Sequence, residues 1–376
     1  MVHKKSITLI FIFFFSVFVF YACNEEDDIT LGEVSISLSN SFPAQGEVIT
    51  IKLHNMPKKI KDLHFDFGDG TESSDALNYK SYEKDGTYII KASFISSTGK
   101  EVFCESSLKV EGFGLTNKLK ELKQNDKIWV MAHRGTTANK TIPENSIAAI
   151  QACFKAGVDV VEIDTYVTKD GQIVVCHDPT INRTTTGSGK IADLTLNEIR
   201  QFKLRDLNGN PTNAVMPTLK EALLAGRGRI LYNIDYSPRD ASTTGIFNIV
   251  NECGMIDRCF FYTGNKPAYV NELFQLSLNA HAYPWGGSLT NYEQLLNYPR
   301  PFFLQFDFSQ VGQNSMIDAT KRGMLVSVNI LDSDFENTFI SGDFSQMDNL
   351  INGDVRMIQT DICENVISYL RIKGYR

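Results

Sequence analysis

No CxxC pair occurs among the seven cysteines, which argues against a structural zinc site. Positive charge is not in excess. Lys and Arg number 37 against 44 Asp and Glu, and the net charge of −7 argues against a broad nucleic-acid surface. The N-terminal apolar run, Ile7–Ala22, has sixteen residues, short of the roughly 20 that a membrane-spanning helix needs. From residue 29 to 111 no helical period is found. What remains is ordinary for a soluble globular protein: 43% hydrophobic and 22% charged residues. A length of 376 residues is enough for two or three domains.

Lys4 and Lys5 precede the apolar run, which ends at the small residue Ala22. A charged start and a short apolar stretch read as a secretory signal. Cys23 follows at once, then Asn24-Glu25-Glu26-Asp27-Asp28. This arrangement resembles a bacterial lipoprotein signal: residues 1–22 as signal peptide, Cys23 as the lipidated first residue, and 23–28 as an acidic tether. Phe20 stands where Leu is usual, and Tyr21 is bulky for its place. The alternative is an ordinary signal peptide or a retained N-terminal anchor. Every version predicts export, and the lipoprotein version adds membrane attachment at the periplasmic face or cell surface. Export permits disulfides, and Cys253 with Cys259 is a candidate pair. Cys153 and Cys176 sit in apolar runs and are expected to be buried thiols.

Residues 29–111 read as all-β. Val34–Leu38 and Val48–Leu53 alternate apolar and polar, the period of a half-buried strand. His64-Phe-Asp-Phe-Gly-Asp-Gly-Thr71 is a strand running into an Asp-Gly turn. With Gly86-Thr-Tyr88, this segment resembles a PKD-type immunoglobulin-like sandwich, a module whose partner is expected to be glycan or protein. Asp66 and Asp69 are either calcium ligands or turn-shaping residues, and turn shaping is favoured. Gly112-Phe-Gly114 is a short hinge, and Leu115–Leu122 a lead-in helix, so that 112–127 forms a linker.

From Ile128 strands and helices alternate. Strand candidates are Ile128–Ala132, Val158–Asp164, Ile173–Cys176, Arg229–Asp235, Cys259–Thr263, Asn279–Tyr283, Phe302–Phe306, Leu325–Asn329 and Arg356–Thr360. Pro143-Glu-Asn-Ser146 starts a helix that Gly157 ends. Thr195 with Glu198 and Thr218 with Glu221 make capping boxes. About 250 residues of repeated βα units suit a (β/α)8 TIM barrel over 128–376, with a doubly wound sheet as the alternative. Nine candidates for eight places leave one extra, and Asn279–Tyr283 is the weakest.

Active sites of such barrels lie at the C-terminal ends of the strands. His133 and Arg134 follow the first strand, Glu162 and Asp164 close the second, and His177 and Asp235 close the next two candidates. Asn329 and Asp361 stand at the last two, as candidates for the substrate pocket. Glu162 and Asp164 are i and i+2 on a strand and share one face. Two adjacent carboxylates repel unless a cation sits between them, and carboxylate oxygens suit Mg²⁺ or Ca²⁺. Asp235 adds a third ligand. Histidine is the side-chain type suited to acid and base work at neutral pH, which makes His133 and His177 the candidate general acid and base. Arg134 offers a permanently charged fork to phosphate oxygens, and Gly135 lets backbone come close to a ligand.

In these motifs residues 128–365 resemble the glycerophosphodiester phosphodiesterase family. The matching segments are His133-Arg-Gly135, Pro143-Glu-Asn-Ser146, Glu162-Ile-Asp164, Asp170-Gly171, His177-Asp178, Arg183-Thr-Thr185, Gly187-Ser-Gly189, Pro217-Thr-Leu219, Asn329 and Thr360-Asp361. The resemblance implies a barrel with a small insertion after strand three, at about 179–217. It implies one divalent ion on Glu162, Asp164 and Asp235, an acid/base pair of His133 and His177, and Arg134 on the phosphate. It also implies glycerophosphodiester hydrolysis to glycerol 3-phosphate through a cyclic phosphate. Two departures bear on the substrate. Asp235 and Ser237 stand where the family has Glu and Lys, with Lys140 or Arg239 as candidate substitutes for the Lys. Val326 stands where an aromatic is usual, expected to line the glycerol pocket. Two alternatives are kept: a phospholipase-type enzyme on intact lipids or glycerol-phosphate polymers, and a non-catalytic surface-binding lipoprotein.

Overall fold

The computed structural model describes residues 34–376 apart from 44, 46, 111, 113, 237–240 and 287–302. The signal and tether readings, Cys23, Ser237 and Arg239 lie outside the described residues. The chain forms two compact units. The first holds residues up to 41, 49–80 and 86–110; the second holds 42–48, 81–85 and 111–376.

The first unit consists of strands β1 (Ser35–Leu38), β2 (Ile49–His54), β3 (Ile60–Asp66), β4 (Glu72–Ser73), β5 (Leu77–Lys80), β6 (Gly86–Ser96) and β7 (Glu101–Val110). They pair as two antiparallel sheets, β1-β2-β5 and β4-β3-β6-β7. Alternation sets the faces: Ile49, Ile51 and Leu53 are buried while Lys52 and His54 are exposed. At the tip after β3, Asp66 accepts from the Gly68 amide at 2.8 Å. Asp69 accepts from the Thr71 amide and hydroxyl and pairs with Lys80 at 2.6 Å. Both acids shape the turn.

The second unit is a barrel of eight parallel strands, β8 (Trp129–Ala132), β9 (Val160–Val167), β11 (Leu231–Asp235), β12 (Cys259–Gly264), β13 (His281–Pro284), β14 (Phe303–Asp307), β15 (Leu325–Asn329) and β16 (Val355–Thr360). β16 pairs back with β8. A parallel bridge from Trp285 to Gln305 joins the β13 and β14 sides, and the Gly286 amide donates to the Gln305 carbonyl at 2.6 Å.

The remaining strand, β10 (Ile173–Val175), pairs antiparallel with β9 and stands off the barrel path. The extra candidate is therefore Ile173–Cys176, and Asn279–Tyr283 is a true barrel strand, the reverse of the sequence expectation. The reason is local. Gly171 at φ 77° closes a tight turn, with its amide on the Thr168 carbonyl. A turn that short makes a hairpin, whereas parallel neighbours need a crossover of a dozen or more residues. The insertion accordingly follows the second barrel strand, not a third.

Helices α1 (Leu115–Gln124), α2 (Ile147–Ala156), α3 (Leu196–Ile199), α4 (Leu219–Ala225), α5 (Thr243–Glu252), α6 (Pro267–Leu276), α7 (Asn314–Lys321), α8 (Ser333–Ile340), α9 (Ser345–Asn352) and α10 (Cys363–Ile372) complete the unit. Both predicted capping boxes form, at Thr195/Glu198 and Thr218/Glu221. No described helix is long and apolar enough to cross a membrane. α1 buries Leu115, Leu119 and Leu122 among Trp129, Val160, Leu231, Phe260, Phe303 and Met357. Each of these leucines contributes roughly 1.5–3 kcal/mol of burial. Most barrel residues of this cluster lie at or near the strand starts, so α1 packs toward the N-terminal end of the barrel. The cysteines of this unit, Cys253 and Cys259 included, are buried free thiols.

Candidate active site at the C-terminal rim of the barrel

Strand period two sorts each barrel strand into inward and outward residues. On β9, Val160, Glu162 and Asp164 face in, while Val161 and Ile163 pack in the outer core. On β11, Leu231, Asn233 and Asp235 face in. β9 and β11 pair in parallel register, Glu162 opposite Asn233 and Asp164 opposite Asp235. The barrel interior is thus apolar at its floor and polar at its rim. There, a cavity of about 160 Å³ is lined by His133, Glu162, Asp164, His177, Asn233, Asp235, Tyr262, Gln305, Asn329, Leu331 and Gln359.

Glu162, Asp164 and Asp235 each present an oxygen within 4.8 Å of the others, the one such cluster among the described residues. Burial, followed by the charges of Asp164 and Asp235, pushes the Glu162 carboxyl well above the usual range. A site built from three carboxylates in this state needs a proton or a cation, and an all-oxygen set fits a divalent ion such as Mg²⁺ or Ca²⁺.

His133, Arg134 and Gly135 form a single turn off β8, with Arg134 at φ 53° and Gly135 at φ 69°. The Arg134 amide donates to Glu162 Oε2 at 2.8 Å. A Cβ on Gly135 would lie 2.9 Å from the Ala149 Cβ. Glycine is thus required here by its positive φ and by packing against α2. His133 Nδ1 donates to Asp361 Oδ1 at 3.0 Å, and Thr136 Oγ1 donates to the same oxygen at 2.8 Å. Asp361 does not line the cavity, contrary to its expected place in the pocket; it orients His133. Burial raises the Asp361 carboxyl, but the His133 hydrogen bond and charge outweigh this and leave it below the usual range.

His177 reaches the cavity from beyond β10 because the Cys176 amide donates to the Asp164 carbonyl, folding the hairpin back along β9. His177 Nδ1 donates to Asp178 Oδ1 at 2.8 Å. Asp178 is held at about 2, first by Arg183 hydrogen bonds and then by the His177 bond. In both histidines a carboxylate holds Nδ1, which orients the ring.

Asn329 lines the cavity as expected. Val326 does not: it faces the outer core, because it is out of phase with the inward residues Leu325, Ser327 and Asn329. Several residues were missed by sequence reasoning. Asn145 donates to Asp164 Oδ2 at 2.8 Å. Glu144, read only as part of a helix start, accepts from Arg183 and Arg134. Asn233, Tyr262, Gln305 and Gln359 line the cavity; the inward register of each strand was the available signal.

Residues 133–278 match the model of the glycerophosphoryl diester phosphodiesterase family. A glycerophosphodiester phosphodiesterase from Caldanaerobacter subterraneus is 41% identical over 111 residues, 29% of this chain and 45% of that protein. Mouse glycerophosphodiester phosphodiesterase 1 is 41% identical over 111 residues, 28% of this chain and 32% of that protein. The chain therefore spans less than half the length of these relatives. In structure, a Parabacteroides distasonis glycerophosphoryl diester phosphodiesterase superposes with a TM-score of 0.57 at 21% identity, covering 68% of this chain and 92% of that one. An Oleispira antarctica phosphodiesterase, solved with its product sn-glycerol 3-phosphate, gives 0.54 at 19% identity over 66% of this chain and 99% of that one. Over residues 133–278 the chain is thus similar in sequence to the glycerophosphoryl diester phosphodiesterase family, and over its barrel it shares the fold of these solved structures.

Proposed function

We propose that the protein is a metal-dependent phosphoric diester hydrolase that cleaves glycerophosphodiesters to glycerol 3-phosphate and an alcohol. The observation that carries this reading is the convergence of His133, His177 and the Glu162–Asp164–Asp235 trio on one small cavity. Arg134 adds donors beside it. Its Nε is buried without a hydrogen-bond partner and 3.8 Å from Asp164, so its donor capacity is unspent.

The reaction follows from these groups. The glycerol hydroxyl next to the phosphate attacks phosphorus. One histidine takes the hydroxyl proton at Nε2 while the other, protonated, gives its proton to the departing alcohol oxygen. The P–O bond to the head group breaks and a cyclic phosphate remains. Water then opens the ring with the two histidines in exchanged roles. Asp361 and Asp178 hold the imidazoles in line, and Arg134 binds the phosphoryl oxygens. A divalent ion on Glu162, Asp164 and Asp235 supplies charge neutralisation at the phosphate. No covalent protein intermediate is needed.

We extend this reading to an exported protein tethered through a lipid on Cys23, with the N-terminal β unit as a PKD-type module for glycan or protein. The test of the enzyme is release of glycerol 3-phosphate from a panel of glycerophosphodiesters and intact lipids, with and without EDTA. Release confined to intact lipids moves the reading to a phospholipase; no metal-dependent release from any member rejects it. Radiolabelled palmitate incorporation that a Cys23→Ala change does not abolish rejects the tether.

A further inference from the structure

Arg183 lies outside the cavity, about half exposed, yet makes four charge-assisted hydrogen bonds. Its Nε and Nη2 reach Asp178 at 2.7 and 3.0 Å, and its Nη1 and Nη2 reach both oxygens of Glu144 at 2.8 Å. Asp178 in turn holds His177 Nδ1. Glu144 is buried and also accepts a long bond of 3.4 Å from Arg134 Nη1. A single guanidinium thus joins the loop after β8, which carries Arg134, to the loop after β10, which carries His177.

This geometry has two consequences. With both Glu144 oxygens engaged by Arg183, Arg134 keeps only one long bond to that carboxylate, and its donors stay available to an anionic ligand. With both Asp178 oxygens held, the oxygen facing His177 stays where it fixes the Nδ1–H tautomer. Remove the guanidinium, and Glu144 is a buried carboxylate whose nearest cation is Arg134. It then closes on Arg134, and Asp178 is free to turn away from His177. Lysine cannot substitute, because one ammonium cannot present a planar fork to two carboxylates at once.

We propose that Arg183 is a positioning residue that keeps Arg134 open to the phosphate and His177 in its Nδ1–H tautomer, a reading that rests on the phosphodiesterase function above.

The test compares wild type with Arg183→Gln, Arg183→Lys and Arg183→Ala. Two readouts are used: steady-state hydrolysis of glycerophosphocholine and glycerophosphoethanolamine with added Mg²⁺ or Ca²⁺, and ¹⁵N NMR of the histidine rings. The His177 signal is assigned by its loss in His177→Asn. In Arg183→Gln we expect kcat/KM to fall about 100-fold, the scale of misplaced reacting groups, through both KM and kcat. His177 should lose its Nδ1–H preference, and Arg183→Lys should restore neither readout fully. Added guanidinium ion should return at least about tenfold of the activity of Arg183→Ala, on the same scale. Unchanged tautomer in a folded Arg183→Gln, or activity within threefold of wild type, overturns the proposal. So does a loss of activity in folded Arg183→Ala that guanidinium does not relieve. Should Arg183→Gln fail to fold, Arg183→Lys and guanidinium-treated Arg183→Ala decide by the same readouts. If wild type hydrolyses no phosphodiester, the functional reading fails on its own, and the His177 tautomer still decides whether Arg183 sets it.

Discussion

Among the described residues that line or adjoin the cavity, the rim of the barrel has a charged half and a neutral half. From β8 to β11 it carries His133, Arg134, Glu162, Asp164, His177 and Asp235; from β12 to β16 it carries Tyr262, Gln305, Asn329, Leu331 and Gln359. The family match over 133–278 contains every member of the charged half and, of the neutral half, only Tyr262. On the proposed function the contrast separates two tasks. Proton transfer, phosphate binding and metal binding would need charges, and one continuous stretch of chain supplies the charged groups. Selecting an alcohol would need shape and neutral hydrogen bonds, and the neutral groups come from β12 onward.

The sharpest way to break this division is in the charged half. His133→Ala and His177→Ala should each lower kcat by about 10³-fold, within the range for positioned acid–base groups, with circular dichroism unchanged. A variant keeping a tenth of wild-type activity would refute the role of that histidine. Asp361→Asn comes next. It keeps the shape but weakens the grip on His133 Nδ1, and a fall in kcat of about ten- to 100-fold is expected, smaller than the loss of the ring itself.

Metal removal reads the same half through stability. Glu162 binds its proton more tightly in the folded state than unfolded, because of burial and its two acidic neighbours. In the metal-free protein the unfolded chain therefore loses this proton first, and stability falls as pH rises above the usual carboxylate range. A divalent ion should reverse that trend, adding about 2.7 kcal/mol at 100 times its dissociation constant, with more benefit at pH 8 than at pH 5. Thermal melts in EDTA and in Ca²⁺ or Mg²⁺ at the two values check it. Equal metal effects at both would argue against ionised carboxylates as the ligands.

The neutral half should respond differently. Gln305→Leu and Gln359→Leu are expected to change KM by about tenfold, one hydrogen bond's worth, and to reorder preference among head groups while kcat moves little. A collapse of kcat instead would erase the distinction. Outside both halves, Thr218→Ala removes a capping box and should cost about 1 kcal/mol, seen in urea unfolding, with hydrolysis unaffected.

Much of this was legible in the residues. The i, i+2 carboxylates, the His-Arg turn, the second histidine, the capping boxes and the lead-in helix are local patterns with local causes. What failed did so for different reasons. β10 has the composition of a barrel strand, and the tight turn at Gly171 that pairs it antiparallel with β9 sets it apart. Asp361 was read as pocket lining because it sits at a strand end; its side chain is taken up by His133 and Thr136, over 200 residues away in sequence. The position of Val326, where the family's aromatic is expected to line the pocket, faces the outer core, as strand period two alone requires.

The sequence by itself determined the chemistry at hand: which acids, imidazoles and guanidinium are present, and that period two puts Glu162 and Asp164 on one face. Asp235 was expected beside them from its strand-end place, and tertiary structure decided the register that sets it opposite Asp164. Tertiary structure also decided that Arg183 ties Glu144 to Asp178, since that contact depends on two loops folding to the same rim. Short-range order follows from backbone geometry and residue type; which distant charges meet follows only from how strands close into a ring.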